Sequence, residues 1–371
     1  MATSSSKPMR VLHLEAGRHL YGGAQQVFYI LQALQHSDIE YYLACPPGSD
    51  IAQSASAVAQ VLEVPMNGDI DVGLVFRLAR LIKQHQIDLL HVQSRRGADL
   101  FGLLAAKKAG IRAIVSRRVD NTEPGWFARW KYHGYQQVIT ISEGIRQVLL
   151  SEGVQPEHVK TIRSAVDTDK FQPDETASAR LKKEFELPQN SLNIGVIAQL
   201  IERKGHHTLL HALPEILQQL PQVNVIFFGK GPEQAKLREM VNQFGLTSKV
   251  HFAGFRTDMP SLLPGLDLVV HPAFKEGLGV SLLQASACGV PVIAGRAGGI
   301  PEAVRDDVNG YLMTPGEIPE LTALILKVMA DHELRSKLGQ QGRQLMLDEF
   351  SIQVMAEGNE AVYRQLLSLK D

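Results

Sequence analysis

Cysteine is nearly absent: Cys45 and Cys288 are the only two, so no disulfide framework can hold the chain together and a reducing compartment fits. No apolar run approaches the roughly 20 residues that a membrane-spanning helix needs. The opening stretch, Met1-Ala-Thr-Ser-Ser-Ser-Lys-Pro8, lacks the apolar segment of a secretory signal, so none is expected. An excess of one charge is also missing. Lys+Arg number 38 and Asp+Glu 39, a net charge of −1, whereas a general nucleic-acid binder is usually basic. Aromatic residues are 6% and charged residues 21% of the chain, ordinary values that argue against global disorder. What is present is apolar content, 44% of 371 residues, enough for large cores and for two domains.

From Arg10 onward the pattern is strand, loop, helix, repeated. Val11–Leu14, Tyr41–Cys45, Val61–Val64, Leu89–Val92, Ala113–Ser116 and Val138–Ile141 read as short strands. Helical stretches separate them, among them 24–35 and 71–86. Residues 174–190 are polar and broken by proline, and they read as a linker carrying one helix. A second series begins at Ile194–Ala198 and continues through Val223–Phe228, Val250–Ala253, Leu268–His271 and Val292–Ala294. A last helix spans about 352–369. Strands alternating with helices predict an α/β protein with two doubly wound, Rossmann-like parallel sheets. Their carboxyl ends would face a cleft between the domains, where ligands bind in such folds.

Several loops carry chemistry. Gly22-Gly23 feeds the first helix, whose exposed backbone N–H groups suit an anion, although a plain tight turn looks the same. Phe228-Gly-Lys-Gly-Pro-Glu-Gln234 begins like a dinucleotide fingerprint, but Gln234 occupies the third glycine's place, which speaks against an NAD site. Arg203 and Lys204 are adjacent cations just past the first strand of the second series. There a planar fork and a point charge can clamp a diphosphate, or form a structural ion pair with Glu202. The sharpest stretch is Lys275-Glu-Gly-Leu-Gly-Val-Ser-Leu-Leu-Gln284. Glu276 precedes a turn in which Gly277 and Gly279 let a ligand approach the backbone, and Leu278 and Val280 lead into a helix N-terminus. Gln284 lies one turn into that helix, within reach of the same ligand. Gly298-Gly-Ile-Pro-Glu302 forms a further glycine loop. Two Ser-Arg-Arg groups, Ser94-Arg95-Arg96 and Ser116-Arg117-Arg118, close neighbouring strands. They are read as an anionic-acceptor site, with pairing to Asp99 and Asp120 as the alternative. Residues 107–131 interleave Lys107, Lys108, Arg112, Arg117, Arg118, Arg129 and Lys131 with Trp126, Phe127 and Trp130. This is either a patch for anionic lipid or a solvated helix with a buried aromatic face.

The order of these motifs resembles family 4 of the retaining glycosyltransferases, with the two-domain GT-B architecture. Gly22-Gly23, the segment ending Arg203-Lys204-Gly205, the turn Gly229–Pro232, Glu276–Gln284, Gly298–Glu302 and the terminal Phe350, Ser351, Met355 and Tyr363 each match a motif of that family. The resemblance runs from about residue 10 to 367. It implies an acceptor-binding domain over 1–185, a nucleotide-sugar domain over 186–350, and a helix over 351–371 that crosses back to the first domain. It further implies that Glu276, Arg203, Lys204 and His91 are catalytic. Gly22, Gly23, Arg203, Lys204, Gly229, Gly231, Glu276, Gly277, Leu278, Gly279, Val280 and Gln284 would bind the nucleotide sugar, with UDP favoured. Arg95, Arg96, Arg117, Arg118 and Asp120 are expected at the acceptor. Two positions depart from the family pattern: Gln284 replaces the second signature glutamate, and Gln93 replaces the second histidine of a His-x-His strand.

The implied activity is metal-independent, retaining hexosyl transfer in bacterial cell-surface polysaccharide or lipopolysaccharide synthesis. The only co-substrate is the nucleotide sugar, and the acceptor is a glycan or glycolipid. No metal site and no nucleic-acid partner are expected. The expected location is cytoplasmic, with peripheral contact to anionic membrane. A UDP-sugar epimerase of the same fold and a non-catalytic sugar-nucleotide binding protein are the alternatives.

Overall fold

The computed structural model describes residues 8–20, 22–95 and 97–368. It divides into two compact units. One comprises the chain up to Ala165 together with the terminal stretch from Ile352, and the other is Val166–Ser351. The division falls at 165/166 and not at 185/186, because the segment before 186 is packed and not free. In its helix Ala177–Glu184, Ala177 and Leu181 are fully buried, and the Ala177 carbonyl would lie 2.5 Å from a Cβ on Gly265.

Among the described residues the first unit holds seven strands: β1 Arg10–Leu14, β2 Glu40–Cys45, β3 Gln60–Glu63, β4 Leu89–Val92, β5 Arg112–Arg117, β6 Gln137–Thr140 and β7 Val159–Thr161. All neighbours pair in parallel, in the order β3-β2-β1-β4-β5-β6-β7. One core lies on each face. On one side the helices Gly73–Gln84 and Ala98–Ala109 bury Leu78, Ile82, Phe101 and Leu103 against the sheet. On the other, Gly23–Leu34 and the terminal helix Ile352–Ser368 bury Val27, Leu31, Val362 and Tyr363.

The second unit holds six strands: β8 Leu192–Ile197, β9 Val223–Phe228, β10 Val250–Gly254, β11 Leu268–His271, β12 Val292–Gly295 and β13 Gly310–Met313. They are again parallel, in the order β10-β9-β8-β11-β12-β13. Every residue of β9 is buried, as the run Val223–Phe228, apolar except for Asn224, requires in a strand covered on both faces. The two strands added to the sequence reading, β7 and β13, are both edge strands. Val-Lys-Thr in β7 has one buried residue of three, and β13 starts on a glycine that reads as a turn. Among the described residues, no helix is long and apolar enough to cross a membrane.

Candidate functional site

In each sheet the strand order reverses at its first strand, and the crevice beyond the carboxyl ends at such a point is where open α/β sheets bind ligands. In the second unit these ends belong to β8 and β11. β8 leads into Gln199–Gly205, and β11 ends at His271 and runs on to the helix Val280–Ala287. The side chains of both loops converge on Glu276. Its Oε2 accepts from Lys204 Nζ at 2.5 Å and lies 3.2 Å from His271 Nε2, and its Oε1 accepts from the Gly277 N–H at 3.0 Å. Burial alone would raise this carboxyl. The His271 hydrogen bond and the charges of Lys204 and His271 outweigh it and hold Glu276 at about 2. At neutral pH the site therefore contains a fixed, half-sequestered carboxylate against a buried ammonium.

Backbone geometry fixes both loops. Gly205 has φ +71°, and a Cβ there would lie 2.0 Å from the Pro272 carbonyl oxygen, so a glycine is required between Lys204 and His206. Gly298 has φ +53°, and its Cβ would lie 1.9 Å from the Glu276 carbonyl oxygen, which also accepts from the Gly299 N–H. The Gly298–Glu302 loop thus clamps the main chain of Glu276. The helix starting at Val280 has Gly279 at its cap and no side-chain cap. The N–H groups of Val280 and Ser281 find no acceptor among the described residues, and they form a donor pair at the positive end of the helix dipole.

Arg203 is exposed, with no side-chain partner among the described residues, while Lys204 is buried and pairs with Glu276 and not with Glu202. Gln284 is half-buried on the first turns of the same helix, and Leu278 is buried. At Gly229 and Gly231 a Cβ would lie 1.9 Å and 2.2 Å from the carbonyls of Ala198 and Leu200, so the turn packs closely on backbone. His271 was not singled out from the sequence. A titratable residue ending the switch-point strand was its signal.

The first unit has its own crevice at the ends of β1 and β4, a cavity of about 590 Å³ lined by Glu15, Gly23, Gln93, Arg95, Ser116 and Arg118, among others. Glu15, which follows β1 directly, also went unread in the sequence. It is 3% exposed, takes Gly17 N–H and Ser94 Oγ on one oxygen, and leaves the other without a partner. Arg118 donates to Gln93 Oε1 at 2.6 Å, and burial lowers its guanidinium to about 10 against the opposing pull of Glu15. That bond orients the Gln93 amide, whose Nε2 lies 3.0 Å from His91 Nδ1 and 3.1 Å from His13 Nδ1. Only an amide can accept from Arg118 while donating to two imidazoles.

Three first-unit expectations change. His91 is fully buried, with Nδ1 2.8 Å from the Tyr363 hydroxyl and Nε2 2.9 Å from Ser116 Oγ. Burial, then the charges of His13 and Arg118, push it well below the usual histidine range, so at neutral pH it is an uncharged ring tied into the interior by both nitrogens. Arg117 is buried, donates to the Asn121 carbonyl and lies 3.8 Å from Glu123, so it does not point into a crevice. Arg95 also pairs with Glu123, at 3.1 Å, although it lines the cavity. The paired acid is neither Asp99 nor Asp120: Asp99 is taken by Lys131, and Asp120 is half-buried. Arg96 lies outside the described residues. Gly22, with φ +55°, caps the first helix, and Gly23 sits beside the Arg118 side chain.

Acid is expected to destabilise both units. His13 and His206 are buried and held at about 3, in each case by burial first, and Glu276 is held at about 2. All three bind fewer protons in the folded than in the unfolded chain. Stability should therefore fall as pH drops below the ordinary histidine value of 6.5, and further below 4.5 as Glu276 adds its share. Thermal unfolding followed from pH 7.5 to 4 checks this, and a flat Tm would contradict it.

Residues 178–345 match the model for glycosyl transferases group 1, and residues 21–170 that for glycosyltransferase family 4. The chain is 30% identical over 291 residues to the GDP-mannose-dependent alpha-(1-6)-phosphatidylinositol monomannoside mannosyltransferase of Mycolicibacterium smegmatis, covering 74% of this chain and 75% of that one. It is 25% identical over 366 residues to the lipopolysaccharide core biosynthesis glycosyltransferase LpsE of Rhizobium meliloti, covering 98% and 100%. A solved glycosyltransferase structure from Rickettsia africae superposes with a TM-score of 0.88 at 18% identity, over 98% of this chain and all of that one, a likeness of fold.

Proposed function

The chain belongs to the group 1 and family 4 glycosyltransferases, and from that premise we propose that it transfers a sugar from a nucleoside diphosphate sugar to a glycan or glycolipid acceptor, with retention and without a metal. The observation that carries this reading is the Glu276–Lys204–His271 cluster beside the uncapped helix at Val280. In the reaction the bond from the anomeric carbon to the diphosphate oxygen breaks and its electron pair stays on the diphosphate, while an acceptor hydroxyl oxygen bonds to the same face of that carbon and gives its proton to the departing diphosphate. Arg203, Lys204 and the amides of Val280 and Ser281 meet the charge that develops there. The Glu276 carboxylate accepts hydrogen bonds from the sugar hydroxyls and offsets the positive charge on the ring. Lys204 is shared between that carboxylate and the phosphate. Gln284 accepts from the ribose through its carbonyl. Arg118, with Arg95 at the rim, meets an anionic group of the acceptor.

The motif resemblance favours a uridine donor, whereas the Mycolicibacterium relative is named for GDP-mannose. A role in lipopolysaccharide synthesis is supported by the name of the Rhizobium relative. The test is thermal shift with UDP, GDP, their sugars and the bare nucleosides, since a ligand that binds the native state raises Tm. Diphosphates should stabilise the protein and one base should do so more. Release of free nucleotide only with acceptor present marks a transferase, and sugar interconversion marks an epimerase. Arg203→Ala should weaken diphosphate binding by about 1.5–3 kcal/mol, as for a charge-assisted hydrogen bond, and leave nucleoside binding unchanged. Equal losses for both ligands would make Arg203 structural.

A further inference from the structure

We propose that Glu15 makes the crevice of the first unit selective for an acceptor that carries a protonated amine close beside its anionic group. This selectivity rests on the proposed role of the crevice in taking the acceptor, with Arg118 on the anion, and adds the opposite pole.

Glu15 is held as a one-sided carboxylate. Its Oε1 accepts from the Gly17 N–H at 2.7 Å and from Ser94 Oγ at 2.9 Å. Ser94 Oγ in turn accepts from the Ala16 N–H at 2.6 Å, so its own proton is committed to Glu15. These bonds fix the carboxyl group and leave Oε2 buried without a partner. Arg118, whose guanidinium feels the Glu15 charge, does not supply one. It donates from Nη2 to Gln93, and its Nε is also buried without a partner. A Cβ on Gly23 would lie 3.7 Å from Arg118 Nε and 4.0 Å from Glu15 Oε2. The two unpartnered atoms therefore border one small space, which the glycine keeps open. Buried polar atoms are ordinarily satisfied, so a ligand that enters this space has to offer both a donor and an acceptor.

Charge narrows the choice. Glu15 is the only carboxylate lining the cavity among the described residues, and Arg95 at the rim is neutralised by Glu123. One negative and one positive pole remain side by side. An acceptor group with negative charge alone would gain Arg118 and meet repulsion from Glu15. A hydroxyl would give Oε2 one hydrogen bond and leave its charge buried without a counter-ion. An ammonium group provides both the bond and the charge. The matching chemistry is an amino sugar with an anionic substituent on the neighbouring carbon.

The test is calorimetric titration of the full chain with glucosamine 1-phosphate, glucose 1-phosphate and N-acetylglucosamine 1-phosphate, repeated with UDP or GDP as competitor. Glucosamine 1-phosphate should bind about tenfold more tightly than the other two, on the scale of one charge-assisted hydrogen bond. Glu15→Gln keeps the side-chain length and can still accept from Gly17 and Ser94. It should weaken the amine probe about tenfold, while glucose 1-phosphate binds as well or better because the repelling charge is gone. Equal weakening of all three probes would make Glu15 structural and overturn the proposal. Equal binding of the three to the unaltered chain, or none at all, would also overturn it, and that result needs no variant to fold. So would displacement by UDP or GDP, which would place the probes at the Glu276 site. Elevation of Tm by UDP or GDP reports on the transferase reading separately. A missing amine preference with nucleotide binding intact removes this selectivity alone, and an amine preference without nucleotide binding removes that reading alone.

Discussion

Replacing Glu276 by glutamine is expected to lower kcat by about 10²–10³, the scale on which one preorganised electrostatic contact acts in a transition state. Glutamine has the same length and can still accept from His271, so the loop keeps its shape. The charge is lost. Lys204, 8% exposed, then remains as a buried ammonium without its counter-ion, and stability should fall on the order of 3 kcal/mol. The sign of the pH effect follows. Glu276 stays ionised down to about 2, against an ordinary 4.5, so its contribution is whole above 4.5 and lost as pH falls towards 2. The variant should be less stable at pH 7 and should lose less on acidification through that window. Transfer rates and thermal unfolding at several pH values check both halves. A kcat within about threefold of the parent would remove Glu276 from the reacting sugar.

Gly205→Ala is expected to be among the more damaging single methyl additions in the second unit. Two costs combine: a left-handed backbone, about 1–2 kcal/mol for a residue with a Cβ, and overpacking against a carbonyl that belongs to the main chain, about 1–3 kcal/mol. The Pro272 carbonyl cannot swing away as a side chain would, because Pro272 is tied to His271 at the end of β11. Relief must come from moving either Lys204 or His271, and these are the two side chains on Glu276 Oε2. Nucleotide diphosphate binding should therefore fall with Tm. Retained diphosphate affinity in a destabilised Gly205→Ala protein would show that the loop is only a scaffold. Gly48→Ala is the comparison: it also has a positive φ, but its Cβ would meet nothing within 4 Å, so only the backbone cost applies.

Most of both sheets was legible because buried parallel strands are written as short apolar runs, as in Val223–Phe228 and Leu89–Val92. The edge strands β7 and β13 were not, since an edge needs neither two apolar faces nor β-branched residues. In the site, Glu276, Lys204 and the helix at Val280 were legible as a carboxylate, a cation and a glycine turn at strand ends. Their mutual pairing was not, because residues 204 and 276 meet only through the order of β8 and β11. The arginines show the opposite limit. Arg95, Arg117 and Arg118 look alike in a Ser-Arg-Arg repeat, but their surroundings differ: Glu123 takes two of them, and Gln93 with Glu15 holds the third at the cavity. One acidic residue, Glu123, decided that, and nothing in its sequence neighbourhood announces which cations it will meet. His91 was misread for a related reason, because a histidine in a central strand lies within the sheet even when its neighbours in sequence lead to a crevice.

The first unit is assembled from two stretches separated by the whole of the second, and its core includes Met355, Val362, Tyr363 and Leu366 from the last helix. Tyr363 also supplies the hydroxyl that satisfies His91 in the middle of the sheet. During synthesis on the ribosome, Val166–Ser351 emerges as one continuous piece with all six strands of its sheet. The earlier residues must wait for a helix made only after the whole of the second unit. Domains ordinarily fold in the order in which they are translated. Here the order of completion is reversed: the second unit can finish while the first still exposes the apolar groove of Val27, Leu31 and Ile162. Until the helix Ile352–Ser368 has left the ribosome, that groove stays open to water.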